Sequence, residues 1–182
     1  MADPALVEHL LTHSVRRGDF VLKSGRRSHW FIDAKQTTCS PDGMLLVAEA
    51  ALAVLPDDVT AVGGLTMGAD AAAFTIAAVA AMRGRPLRAF SVRKEEKDHG
   101  AGGRIAGALL PGDRVAITED AVTRGVSMLE AADVVREAGA IPVLLLPVVD
   151  RGGTVTAMAA EQGIPVHALV TAPDLGFEFE GP

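Results

Sequence analysis

From residue 61 onward the chain alternates between short apolar runs and helix-like stretches, and few folds accept that order. Residues 61–64, 87–92, 114–118, 141–149 and 166–170 read as strands. Residues 69–83, 126–138 and 154–162 read as helices between them. Strands separated by helices of this length predict a parallel sheet with right-handed crossovers and helices on both faces. Ahead of this unit, residues 4–17 read as a helix with Leu6, Leu10, Leu11 and Val15 on one face, stopped at Gly18. Residues 20–22 and 30–32 read as two short strands around a turn at 24–26. A further helix starts at Ser40-Pro41, where serine caps and proline fits the first turn, and it ends by Pro56. The expectation is an α/β chain forming one domain, 1–182. Residues 1–36 make a small N-terminal hood and residues 37–182 the core.

The most informative segment of that core is RVAITEDAVTRGVS (114–127). An apolar strand runs into two adjacent acids, Glu119 and Asp120, then into a small polar turn, then into a helix start. In open α/β sheets ligands sit at such strand ends. The backbone N–H groups of the turn, with the helix N-terminus behind them, can hold a phosphate. A carboxylate accepts hydroxyl hydrogen bonds, so the acid pair suits a sugar diol. Acids followed by a phosphate turn suggest a ribose 5-phosphate pocket. Taken alone, the segment is equally an ordinary strand-to-helix turn with solvated acids.

A second polar cluster, RKEEKDHGAGGR (93–104), joins two strands. It carries Arg, Lys, His and three glycines within four residues, the make-up of a lid over an anionic ligand. The mixed charges also suit a solvated hairpin tip. The net charge of −6 argues against a general nucleic-acid surface. Any cations that meet an anionic ligand must therefore be clustered locally. The single cysteine, Cys39, excludes an internal disulfide and a cysteine metal cluster. No charged leader with an apolar core opens the chain, and the Ala-rich stretch 69–82 is short for a membrane span and interrupted by Asp70. A reduced, cytoplasmic setting is expected.

Together these segments resemble the type I phosphoribosyltransferases, and within them the orotate phosphoribosyltransferases. Four segments in the family's order carry the likeness. FVLKSGRRSHWFIDAK (20–35) resembles the hairpin that holds the pyrimidine, and VGGLTMGAD (62–70) the pyrophosphate loop. VRKEEKDHGAGG (92–103) resembles the mobile catalytic loop, and ITEDAVTRGVS (117–127) the phosphoribosyl diphosphate motif. VVDRGG (148–153) adds a shorter match. The resemblance implies the type I fold and transfer of the phosphoribosyl group from 5-phosphoribosyl 1-diphosphate to orotate, in pyrimidine biosynthesis. It implies that Lys23 reaches the site from the hairpin and that Phe31 and Ile32 contact the pyrimidine through their backbone. Thr123 and Arg151 would bind orotate, with Arg151 meeting its carboxylate. Glu119 and Asp120 would hold the ribose hydroxyls, or order metal waters around them. Ala121, Val122, Thr123, Arg124, Gly125, Val126 and Ser127 would wrap the 5-phosphate. Arg93, Lys94, Lys97 and His99 would close over the pyrophosphate. Lys97, backed by His99, would act at the leaving oxygen, and Asp120 stands with them as a catalytic residue. Magnesium held mainly by the substrate and a homodimer sharing its lids between subunits are part of the same implication, with no protein-built metal site.

The chain departs from the family pattern at several positions. Glu119 stands where aspartate is commonest, Arg124 and Val126 where smaller residues are common, and Met67 where some members carry lysine. Asp70 and the lid must then serve the pyrophosphate site in some other way. Two other readings share these residues: a phosphoribosyltransferase for another base, and a non-catalytic regulator that senses the diphosphate. Arg151 favours a carboxylated base over a purine. The lid and the negative charge disfavour the regulator. His13 and His167 read as packing or surface groups, His29 has no assigned role, Cys39 reads as structural, and Lys35 is either a hairpin aid or solvated. The segment DLGF (174–177) is expected to dock on the hairpin side.

Overall fold

The computed structural model describes residues 2–21, 25, 27–96 and 103–181. The first helix is shorter than its apolar spacing suggests. α1 spans Pro4–His9, with the Asp3 carboxylate accepting from the backbone N–H groups of Ala5 and Leu6, and a π-helical turn follows at Leu10–Ser14. Val15, expected on the helical face, instead opens strand β1, Val15–Val21, which pairs antiparallel with β2, Arg27–Ile32. A β-branched residue is at home there, and Val15 lies opposite Ile32. Leu6 and Leu10 are buried, whereas Leu11 turns outward. Both strands are longer than expected. Leu22 and the turn residues Ser24 and Arg26 lie outside the described residues.

A short helix not expected from the sequence, α2 at Lys35–Thr38, leads from β2 into α3, Pro41–Val54. The Ser40 hydroxyl caps α3 by accepting from the Gly43 N–H at 3.2 Å. The alternating core then follows: β3 Ala61–Leu65, α4 Asp70–Met82, β4 Arg88–Val92, β5 Ile105–Gly107, β6 Arg114–Val122, α5 Val126–Glu137, β7 Ile141–Asp150, α6 Val155–Ala160 and β8 Val170–Thr171. Among the described residues six strands form one sheet, in the order β5-β4-β3-β6-β7-β8. The neighbours pair parallel except at the edge, where β5 runs antiparallel to β4. Two further differences matter. The strand expected at 166–170 is reduced to a bridge between Val166 and Leu145 and the two residues of β8. β6 runs on past Thr118 to Val122, so Glu119 and Asp120 lie within the strand rather than after it.

Period-two alternation sends successive side chains to opposite faces of the sheet. Ala116, Leu144, Leu146 and Val148 join α3, α4 and the hood in one core. Val115, Ile117 and Leu145 join α5 and α6 in the other. α4 buries mostly alanine, including Ala72, Ala73, Ala77 and Ala80, and small side chains let a helix approach a sheet closely. At the carboxyl end of β3 the backbone also packs tightly against its neighbours. A Cβ on Gly64 would run into the Thr118 carbonyl of β6 and lie 2.8 Å from the Ala69 Cβ. Gly64→Ala is therefore expected to cost about 2–3 kcal/mol through overpacking. Denaturant unfolding measures it, and an unchanged midpoint would count against this packing.

Candidate active site

The site lies at the carboxyl ends of β3 and β6, where the turn after β3 folds over the acid pair. Asp70, at the start of α4, accepts from the Thr66 hydroxyl at 2.6 Å and from the Ser91 hydroxyl at 2.7 Å. This carboxylate fastens the turn to both α4 and β4, so its oxygens are already engaged within the chain. A Cβ on Gly68 would collide with the Glu119 carboxylate and come within 3.0 Å of Asp120 Oδ1. The turn therefore lies on the acids. Met67 projects outward, 71% exposed.

Both acids are buried. Burial pushes the Glu119 carboxyl up to about 8, with the negative charge of Asp120 and a hydrogen bond to it adding to the rise. A hydrogen bond with Ser127 works the other way. Asp120 receives the ammonium of Lys35, which arrives from the start of α2. Burial alone would lower the lysine, but the hydrogen bond and charge of Asp120, with Glu119 and Asp33 behind them, raise it. Lys35, which has no definite role on sequence grounds, is thus a member of the site. Its signal in the sequence is that of a lone cation directly after the hairpin.

Next comes the turn from β6 into α5. Residues Ala121 and Val122 finish β6, and Thr123 and Arg124 are exposed. Gly125 has φ 92°, a left-handed conformation that side-chain-bearing residues avoid, and it leads directly into α5. Val126 is exposed and Ser127 half-buried. The turn is tied to the loop after β7 by the Thr154 hydroxyl, which donates to the Thr123 carbonyl at 2.9 Å. Within that loop Asp150 Oδ1 accepts from the backbone N–H groups of Gly152 and Gly153 at 3.0 and 2.9 Å.

Arg151, between them, is buried. Its Nη2 donates to the Trp30 carbonyl at 3.0 Å and the Ser28 hydroxyl at 3.2 Å. Its guanidinium carbon stands 4.7 Å from the centre of the Trp30 ring, a cation–π contact. The structure thus brings Arg151 to the hairpin, beside Phe31, which is 38% exposed, and Ile32, which is buried. The surroundings of Trp30 are completed by Phe177, stacked on the ring at 4.3 Å and 5°. The C-terminal segment does dock on the hairpin. Ser28 and Glu180, absent from the expected site, complete the surroundings of Arg151. Nothing local in the sequence marks Glu180.

The loop expected to form a lid is described only at its base. Lys23, Lys97 and His99 lie outside the described residues. Arg93 is half-buried, and its Nη1 donates to the carbonyls of Gly103 and Ile105, both at 3.3 Å. Its guanidinium thus braces the loop's stem. Lys94 is exposed.

A buried acid pair at a central strand end, a glycine-capped turn into a helix and an arginine-lined hood on a parallel sheet define a phosphoribosyltransferase of type I fold. No family model matches the chain. The orotate phosphoribosyltransferase of Nostoc sp. is 38% identical over 171 residues, covering 93% of this chain and 83% of that protein. The Mycobacterium tuberculosis orotate phosphoribosyltransferase, solved in complex with Fe(III) dicitrate, superposes with a TM-score of 0.85 at 33% identity, covering 95% of this chain and 98% of that one. The same enzyme in complex with 5-phospho-alpha-D-ribosyl 1-diphosphate gives a TM-score of 0.80 at 30% identity over 95% and 98% of the two chains. The chain belongs to the orotate phosphoribosyltransferase family, and it is an enzyme, a pentosyltransferase.

The raised Glu119 carboxyl has a measurable consequence for stability. The folded state holds this proton far more tightly than the unfolded chain, whose carboxyl titrates near the ordinary 4.5. The contribution is full below the unfolded value and is lost as pH rises through about 8. Glu119→Gln removes that loss. Its denaturation midpoint should gain steadily on the parent from about pH 5 up to about pH 8 and level off above that. Parallel curves would mean that Glu119 titrates normally.

Proposed function

We propose that the chain transfers the phosphoribosyl group from 5-phosphoribosyl 1-diphosphate to orotate, giving orotidine 5-phosphate and pyrophosphate. The observation that carries this reading is that three recognition features gather at the carboxyl ends of the neighbouring strands β6 and β7. These are the acid pair, the glycine-capped turn and the buried arginine beneath Trp30. In this reading Glu119 and Asp120 accept from the ribose hydroxyls. Residues Ala121 to Ser127 wrap the 5-phosphate with backbone N–H groups, aided by the positive end of α5. Thr123 and Arg151 orient orotate, and the backbone of Phe31 and Ile32 lies along its ring. A planar guanidinium suits a carboxylate because it offers two parallel donors.

Breaking the bond from C1 to the diphosphate builds positive charge on the ribose and negative charge on the leaving oxygen. Lys97 is assigned to that oxygen as a cation or proton donor, with His99 behind it. Lys23, Arg93 and Lys94 complete the cationic surround. Closure of the lid excludes water, which would otherwise hydrolyse the diphosphate. The ring nitrogen of orotate ionises readily, so Arg151 has only to orient it.

Magnesium belongs to this reading. Glu119 and Asp120 offer the oxygen donors that it takes, and the oxygens of the substrate would supply most of its shell. When bound, it would neutralise charge on the departing pyrophosphate. A homodimer with shared lids and a cytoplasmic location are further parts of the proposal. Among the described residues no helix is long and apolar enough to cross a membrane.

Mixing the protein with orotate, the diphosphate and magnesium should consume orotate, followed by its absorbance, and uracil or purines should not replace it. Arg151→Ala should raise the KM for orotate at least about thirtyfold, because it removes the cationic partner of a buried carboxylate. The KM for the diphosphate should stay within about threefold, since Arg151 touches only the base. An equal rise in both constants would remove Arg151 from the base subsite.

A further inference from the structure

The guanidinium of Arg151 already has a carboxylate beside it. Glu180, near the end of the chain, places Oε2 2.5 Å from Arg151 Nη2, and the Ser28 hydroxyl donates to its other oxygen. The two side chains are only 9% and 16% exposed. The tail that carries Glu180 is fixed at three further points. Its backbone N–H donates to the Arg151 carbonyl at 3.0 Å. Phe177 stacks on Trp30 and is itself covered by the Arg17 guanidinium at 4.7 Å. Phe179 packs over Gly153, so closely that a Cβ there would lie 2.7 Å from the ring.

This internal pair is incomplete. Arg151 Nε and Glu180 Oε2 are both buried, and each lacks a hydrogen-bond partner among the described residues. The Nη2 hydrogens point to Trp30 and Ser28 and the Nε–H has no partner among the described residues, so Glu180 supplies charge to the guanidinium without accepting from its open donor. A flat carboxylate placed beside Nε would accept that open N–H in a charge-assisted hydrogen bond. Such a ligand satisfies the buried donor that Glu180 leaves open. It also brings a second negative charge to the same small volume, so the two carboxylates exclude one another.

We propose that Glu180 is a built-in occupant of the base subsite, standing in for the substrate's carboxylate, and that a carboxylated ring enters by exchanging with it. The inference rests on the assignment of Arg151 to orotate. In the unliganded chain Glu180 keeps a buried guanidinium from standing unpaired, which is costly. The same contact lowers the fraction of chains ready to bind, and apparent affinity falls with that fraction. Glu180 thereby sets how tightly the base is held without touching the reacting atoms.

Glu180→Gln keeps the shape and removes the charge. A chain ended after Phe177 removes the carboxylate altogether while keeping the stack on Trp30. Steady-state kinetics should show a KM for orotate about tenfold lower in both variants, with kcat and the KM for the diphosphate unchanged. A KM for orotate that is unchanged or raised in both would overturn the proposal and make Glu180 a plain support for Arg151. Arg151→Ala, run alongside, separates the two levels of the argument. If it leaves the KM for orotate unaltered, the base assignment itself fails. If it raises that KM while the Glu180 variants do nothing, only the exchange fails.

Discussion

The site depends on how closely the backbone after β3 can lie against β6. Gly64 leaves no room for a side chain between its own strand and the Thr118 carbonyl, and Gly68 leaves none over the carboxylates of Glu119 and Asp120. With those two positions empty of side chains, a turn of main chain roofs the acid pair. Asp70 then locks the turn through Thr66 and Ser91. Burial of the acids follows from this packing, and burial is the first cause of the raised Glu119 carboxyl. A larger residue at either glycine would lift the roof, return the acids to water and undo the perturbation at its source.

Once the acids are roofed, their charge must be met from the side. Lys35 does so, because α2 begins directly after β2 and points the lysine across to Asp120. The hood therefore does more than cover the site. It delivers a cation to the acid pair and, through Trp30 and Ser28, a carbonyl and a hydroxyl to Arg151. Met67 carries no charge, and no cation in the 66–69 turn replaces it. Among the described residues Lys35 is the cation that meets the acid pair, from a different part of the chain.

Much of this arrangement is legible in the amino-acid sequence. The alternation of apolar runs predicts the parallel core, and the acid pair followed by a turn and helix start marks where ligands sit. What local pattern does not reveal is decided by contacts distant in sequence. Val15 fits the helical spacing of Leu6 and Leu10, yet pairing with Ile32 draws it into a strand. Glu119 and Asp120 look like the start of a loop because they are polar. Pairing of Ala121 with Val149 and of Val122 with Asp150 nonetheless carries the strand past them. The three residues of β5 follow a polar loop and are too few to show alternation. Glu180 illustrates the limit most plainly, since its partners, Ser28 and Arg151, stand 152 and 29 positions away in the chain.

The two proposed recognition subsites resolve their charges in the same way but would respond differently to a ligand. At the ribose side a cation from the hood rests on an acid, and an incoming diol is neutral. A carboxylate has lone pairs enough to accept from hydroxyls and from an ammonium together, so a ribose bound as proposed would add to the Lys35–Asp120 pair without breaking it. At the base side the internal partner and the ligand carry the same charge and meet one guanidinium. Two buried carboxylates against a single cation leave one negative charge unbalanced, so on the proposed assignment the base would enter as the tail's carboxylate leaves. The proposed addition at one end and exchange at the other would follow from the signs of four side chains, Lys35, Asp120, Arg151 and Glu180, two of them brought from opposite ends of the sequence.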